Sequence, residues 1–191
     1  MEKTDKQLVE ACKRNNDLKA FESLIKRHQN KVRSIVFKFL NTPDDLDDIS
    51  QEVFIKAFKA IKTYRGDSSF STWLCRIAIN TCKDRLRHRK NYSQKVVNIE
   101  DNTLKEIPDQ FSNVEKYVSI NEEKRLVFKE IKKLPEAQQI ALILHDIEDM
   151  TYEEISHVAE CPVGTVKSRL FNARKTLKDK LKSVITSINI S

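Results

Sequence analysis

Only two of the 191 residues are glycine and four are proline. A chain so poor in turn-formers has little means of closing the tight hairpins that a sheet protein needs. Its apolar residues recur at helical spacing instead, so the expected fold class is all-α. The two glycines also punctuate the chain. Gly66 lies in the loop Tyr64-Arg65-Gly66-Asp67-Ser68-Ser69-Phe70, and Gly164 lies in Cys161-Pro162-Val163-Gly164. Each stands just before a strongly basic helical pattern.

The second of these patterns runs from Thr165 to Lys182. It carries seven Lys/Arg against Asp179, a net +6. On a 3.6-residue wheel Val166, Leu170, Ala173, Leu177 and Leu181 share one stripe, and Lys167, Ser168, Phe171, Asn172 and Lys175 lie on the remaining surface. Upstream, Tyr152 to Ala159 reads as a short helix. Two helices joined by a tight Gly-containing turn, the second basic outward, form a helix-turn-helix that lays its second helix in a DNA major groove. A solvated helical hairpin would carry the same charge. Phe171 argues against it, because the ring sits amid the basic face, about 100° from the apolar stripe.

The first pattern runs from about Ser71 to Arg89. Its apolar stripe is Cys75, Ala78, Ile79, Cys82 and Leu86, and its other face carries Trp73, Arg76, Asn80, Lys83, Asp84 and Arg87. From Ser71 to Lys95 the balance is again +6. An outward Trp73 with Phe70 and Tyr64, among Arg and Asn, suits stacking on unpaired bases. Covering a neighbouring helix is the alternative role for that tryptophan.

Between the N-terminus and this pattern lie three helical segments. Lys6 to Cys12 is the first. Asp17 then caps a long helix carrying Phe21, Leu24, Ile25, Val32, Ile35, Val36, Phe39 and Leu40. The third opens at Thr42-Pro43-Asp44-Asp45, with Thr42 as cap, Pro43 as first residue and Asp45 closing the box, and it runs to about Ile61. Its core is Leu46, Ile49, Val53, Ala57 and Phe58. Asp44, Asp45, Asp47, Asp48 and Glu52 make its first half −5, with no cation before Lys56. A helix dipole accounts for acids in the first turn but not in the second and third. Such a face repels DNA and suits a protein partner.

Val96 to Glu123 nets −5 and holds no helical stripe until about Val114, which marks a linker. Four helical segments follow: Val114 to Lys133, Leu134-Pro135-Glu136 to about Ile147, Tyr152 to Ala159, and the basic helix. Ser183 to Ser191 reads as a frayed tail. The expected layout is 1–92, an acidic linker 93–113, a helix-turn-helix domain 114–184 and a tail 185–191.

The net charge of +7 suits a polyanionic partner. The N-terminus is too polar for a signal peptide and no apolar run reaches membrane length, so the expected location is the cytoplasm, with no membrane insertion. Cysteines 12, 75, 82 and 161 lack paired metal spacing, and no phosphate-cradling loop or nucleophile–base constellation is evident. No cofactor, metal or catalysis is expected.

Three stretches stand out together: Asp47-Asp48-Ile49-Ser50-Gln51-Glu52-Val53-Phe54, Phe70-Ser71-Thr72-Trp73-Leu74-Cys75-Arg76-Ile77-Ala78-Ile79-Asn80 and Pro162-Val163-Gly164-Thr165-Val166-Lys167-Ser168-Arg169-Leu170. In this order they resemble a bacterial RNA polymerase sigma factor of the extracytoplasmic-function (ECF) group of the sigma-70 family. The resemblance implies that Asp47, Asp48, Gln51 and Glu52 bind the clamp of the polymerase largest subunit. It implies that Ser68, Phe70, Trp73, Arg76, Asn80, Lys83 and Arg87 melt and read the −10 element. Thr165, Lys167, Ser168, Arg169, Phe171, Asn172 and Lys175 are then the −35 readers, although family members often carry a basic residue where Asn172 stands. The C-terminal domain would also meet the polymerase flap, and the linker would thread towards the RNA exit path. Many members answer to an anti-sigma protein. A helix-turn-helix regulator acting without polymerase is the other reading of the C-terminal half. It leaves the acidic helix and the Phe70/Trp73 region without a task. A helical adaptor with solvated basic faces would lack steep salt dependence of DNA affinity.

Overall fold

The computed structural model describes residues 3–40, 45–97 and 122–188. Among them the regular structure is helical, without strands. The chain divides into two compact units, Met1–Asn113 and Val114–Ser191.

The first unit is built on α2 (Leu18–Leu40), against which α1 (Asp5–Asn15), α3 (Leu46–Ala60) and α4 (Phe70–Val97) pack. Local chemistry sets the helix ends. Thr4 and Gln7 form a reciprocal capping box at the start of α1, and Asn16 closes that helix in the left-handed region at φ 49°. Asp17 Oδ1 accepts from the amides of Lys19 (3.0 Å) and Ala20 (3.1 Å), as its position predicts for an N-cap. Leu24, Val32, Ile35 and Val36 recur at helical spacing and are fully buried. Ile25 is half-buried.

The third helix departs from expectation at its start. Thr42 and Pro43 lie outside the described residues, and α3 begins at Leu46. Asp45 precedes it without a side-chain cap bond; its carboxylate accepts instead from Arg85 (2.9 Å) and from Arg89, tying α3 to α4. Leu46, Ile49, Val53 and Ala57 are buried as their spacing predicts. Phe58 is half-buried, its ring meeting Phe21 edge-on with centroids 4.9 Å apart. In α4, Cys75, Ala78, Ile79 and Cys82 form the buried stripe, but Leu86 is exposed. Beyond Cys82 the helix keeps its register, yet that face no longer meets enough of the bundle to cover Leu86. Burial pushes the Cys82 thiol up to about 12, with a smaller push from Glu52, so it packs as a neutral group. The helix continues to Val97, into the stretch expected as linker, most of which lies outside the described residues.

The second unit comprises α5 (Glu122–Lys132), α6 (Glu136–Leu142), a π-helical turn over Ile143–Ile147, α7 (Tyr152–Ala159) and α8 (Val163–Ile188). Helix α8 packs on α5, α6 and α7. The amide of Glu148 closes the π turn on Ile143 O at 3.0 Å, five residues back, and His145 Nδ1 ties the turn to Met150 O at 2.8 Å. Ser183 to Ile188, expected as frayed, continue α8. No helix among the described residues is long and apolar enough to cross a membrane.

Candidate nucleic-acid and polymerase interface

Thr151 and Glu154 form a capping box that starts α7. The helix ends at Glu160, whose φ of 49° turns the chain left-handed. Cys161 then donates its amide to Ser156 O at 3.2 Å, satisfying a terminal carbonyl. The turn therefore hinges on Glu160. Gly164, expected to make the turn, is the second residue of α8 and has no positive φ. Pro162 O accepts from Thr165 N (2.8 Å) and Val166 N (3.2 Å), so the helix starts immediately after the proline.

Val166, Leu170 and Ala173 are buried and fix the roll of α8. Leu177 and Leu181 continue the stripe half-buried. Lys167, Ser168, Phe171, Asn172 and Lys175 all face out, and Phe171 is 68% exposed. Lys167 Nζ sits 5.5 Å from the centroid of the Tyr152 ring, a cation–π contact that steadies it beside α7. Thr165 and Arg169 are half-buried, and Arg169 Nη1 donates to Cys161 Sγ at 3.3 Å. Arg174 is bound to the scaffold: Nε and Nη2 hold Asp146 at 3.0 and 2.5 Å, and that carboxylate raises the guanidinium pKa further. A cleft of about 370 Å³ runs along this face between Tyr152, Lys167, Phe171, Lys175 and Lys178.

The loop before α4 is different in kind. Gly66 takes φ 85°, a conformation that a side chain would strain. Tyr64 Oη donates to Ser68 O at 2.6 Å across the loop, and Ser69 Oγ accepts from Thr72 N at 3.1 Å to cap α4. Trp73, expected to project from the basic face, is 7% exposed, and Phe70, expected to stack on bases beside it, is 3% exposed. Their centroids stand 5.6 Å apart, and Tyr64 lies 6.0 Å from Phe70 and 5.3 Å from Trp73. The reason is positional. The wheel row of Trp73, Arg76, Asn80, Lys83 and Arg87 is one face, but its first turn is enclosed by Tyr64 and the neighbouring helices. Only from Arg76 onward does it emerge. Asn80 and Arg87 are exposed, while Arg76, Lys83 and Ser68 are half-buried.

On α3, Asp47, Asp48, Gln51 and Glu52 are all exposed. The acids are less alone than their sequence neighbourhood predicts, because Arg33 of α2 pairs with Asp47, and Lys56 holds Glu52 at 2.8 Å. The structure adds a residue that the sequence reading missed. Ile55 is 53% exposed on the same stripe, one turn beyond Gln51 and Glu52. An apolar side chain ringed by charge is the usual composition of a protein-binding patch. Its one-turn spacing from the acids was the available signal.

Two family models match in chain order, Sigma-70 region 2 over residues 24–92 and Sigma-70 region 4 over residues 124–177. Among relatives, the ECF RNA polymerase sigma-E factor of Escherichia coli K12 is 41% identical over 190 residues, covering 95% of this chain and 96% of the relative. The same factor of Haemophilus influenzae is 37% identical, covering 95% and 97%. Two solved structures share the fold. They are CnrH in complex with the cytosolic domain of CnrY (TM-score 0.69, 23% identity, 94% of this chain and 97% of that one) and the sigma factor RpoE in complex with the anti-sigma factor NepR from Bartonella quintana (0.66, 24%, 86% and 98%). An exposed basic helix after a left-handed turn, an acidic helix of opposite charge, both region matches in chain order and a 41% identical ECF relative over 95% of the chain lead to one assignment: the protein belongs to the sigma-70 family of RNA polymerase sigma factors, in its ECF group.

Proposed function

We propose that this sigma factor, which directs RNA polymerase to promoters, divides the task among three surfaces. The observation that carries the reading is the exposed row Lys167, Ser168, Phe171, Asn172 and Lys175 on a helix rolled into place by Val166, Leu170 and Ala173. That row reads the −35 element in the major groove, with Thr165 and Arg169 at its half-buried margin. Asp47, Asp48, Gln51 and Glu52, around Ile55, dock the clamp of the largest subunit, and the C-terminal domain also meets the flap. The rim of the Gly66 loop, with Ser68, Arg76, Asn80, Lys83 and Arg87, takes the opened −10 strand. Phe70 and Trp73 are the floor that gives this rim its shape.

In this reading residues 1–92 form the polymerase and −10 domain and 114–184 the −35 domain, with 93–113 as the linker and 185–191 as the tail. The chain supplies binding free energy, not catalysis, and works in the cytoplasm, where promoter and polymerase are. An anti-sigma protein would act by covering one of the three faces. A stand-alone operator binder is disfavoured, since it has no use for the acidic α3 stripe.

Lys167→Ala tests the −35 assignment. If Lys167 reads a base edge, holoenzyme binding to an intact −35 element should fall about tenfold or more, with little loss on a scrambled element. An equal loss on both sequences would mark Lys167 as a phosphate contact.

A further inference from the structure

We propose that α1 is a strut for the strand-opening loop, with Lys13 and Asp5 as its positioning residues. The inference rests on the reading that the Gly66 loop takes the opened −10 strand. Helix α1 lies wholly before the region 2 match, which starts at residue 24. Even so, its C-terminal end reaches the start of the loop directly, and its N-terminal end reaches the end of the loop through His28 of α2. At the C-terminal end, Lys13 Nζ donates to Tyr64 O at 2.5 Å and stands 5.4 Å from the centroid of the Tyr64 ring. Tyr64 in turn closes the loop through Ser68 O. At the N-terminal end, Asp5 Oδ2 bonds His28 Nε2 at 2.8 Å, and the His28 ring lies 5.4 Å from the Phe70 ring, the first residue of α4. Asp5 Oδ1 is meanwhile held by Arg27 at 2.5 Å, and Arg27 also bonds Lys3 O at 3.0 Å.

The geometry acts on shape. A loop of six residues with one left-handed glycine has several accessible conformations, and each costs binding free energy if it must be excluded on meeting DNA. Lys13 fixes the carbonyl where the loop begins, and the Asp5–His28 pair supports the ring where it ends. The loop is therefore shaped before DNA arrives. Lys13 is only 24% exposed, so its bond is shielded from water and stronger than a surface contact. Burial, then Asp5, then Asp67 push the Tyr64 hydroxyl pKa up, which keeps it a donor to Ser68 O.

The test uses the full chain bound to core polymerase on a duplex promoter, comparing Lys13→Met, Lys13→Arg and Ser68→Asp at equal core occupancy. Permanganate reactivity of the −10 thymines reads opening. Lys13→Met should lower it about tenfold, the scale of one charged hydrogen bond, and Lys13→Arg should restore most of it. Trp73 is the chain's single tryptophan and sits in the cluster with Tyr64, so free Lys13→Met protein should show faster acrylamide quenching of its emission. Wild-type opening by Lys13→Met, beside impaired opening by Ser68→Asp, would overturn the strut alone. Wild-type opening by Ser68→Asp would overturn the loop reading and the strut with it. Loss of opening that Lys13→Arg does not rescue, or unchanged quenching, would reduce Lys13 to a general stabiliser and also overturn the strut.

Discussion

Trp73→Ala should cost the N-terminal unit about 3–5 kcal/mol, the range for truncating a buried large aromatic side chain. Trp73 is 7% exposed and packed between Tyr64 and Phe70, so alanine leaves a cavity at the start of α4 and strips two ring contacts. A small domain has roughly 5–15 kcal/mol in hand, so the loss is a large fraction of the total. Urea unfolding followed by circular dichroism should show a much lower midpoint, and Trp73→Phe should recover much of it. Promoter opening should fall in parallel with the folded fraction. An unchanged midpoint with abolished opening would instead mean that Trp73 faces DNA directly, against its burial in the free chain.

The second large effect is on assembly. Asp47→Lys with Asp48→Lys should reduce core polymerase binding by about 100-fold or more while leaving the fold intact. The fold loses little because both side chains are exposed: the pairing of Arg33 with Asp47 is of a surface kind worth about 0–1 kcal/mol, and an acid in the first turn of α3 contributes about 0.3–1 kcal/mol through the helix dipole. Assembly is sensitive because the change reverses four units of charge on a stripe only a few turns long, and like charges facing each other across an interface cost several kcal/mol. Thermal melting within a few degrees of wild type, beside lost pull-down, is the expected pair of results. Retained pull-down would remove the acidic stripe from the polymerase interface.

Much of this was legible in the sequence because it is local. Asp17 announces α2, and Pro162 precedes α8 by one residue. The stripe from Val166 to Ala173 sets which side of α8 faces out, and Asp48 and Gln51 follow from the same periodicity. What escaped depends on contacts distant along the chain. The wheel places Trp73 on the row of Asn80, but whether that row is covered at its first turn is decided by Tyr64. Arg33 and Asp47 meet across two helices, and Lys13 reaches Tyr64 from 51 residues away. The role given to Gly164 failed for another reason: a polar residue, Glu160, adopts the left-handed conformation that glycine ordinarily marks.

Reconstituted transcription tests the central claim most directly: core polymerase with and without this chain, on fragments of its own genome, with 5′ ends mapped. The predicted result is a set of discrete start sites that appear only with the chain, share sequence elements near −35 and −10, and vanish with the Asp47→Lys/Asp48→Lys variant. Transcripts unchanged by the chain, together with tight sequence-specific DNA binding in the absence of polymerase, would contradict it.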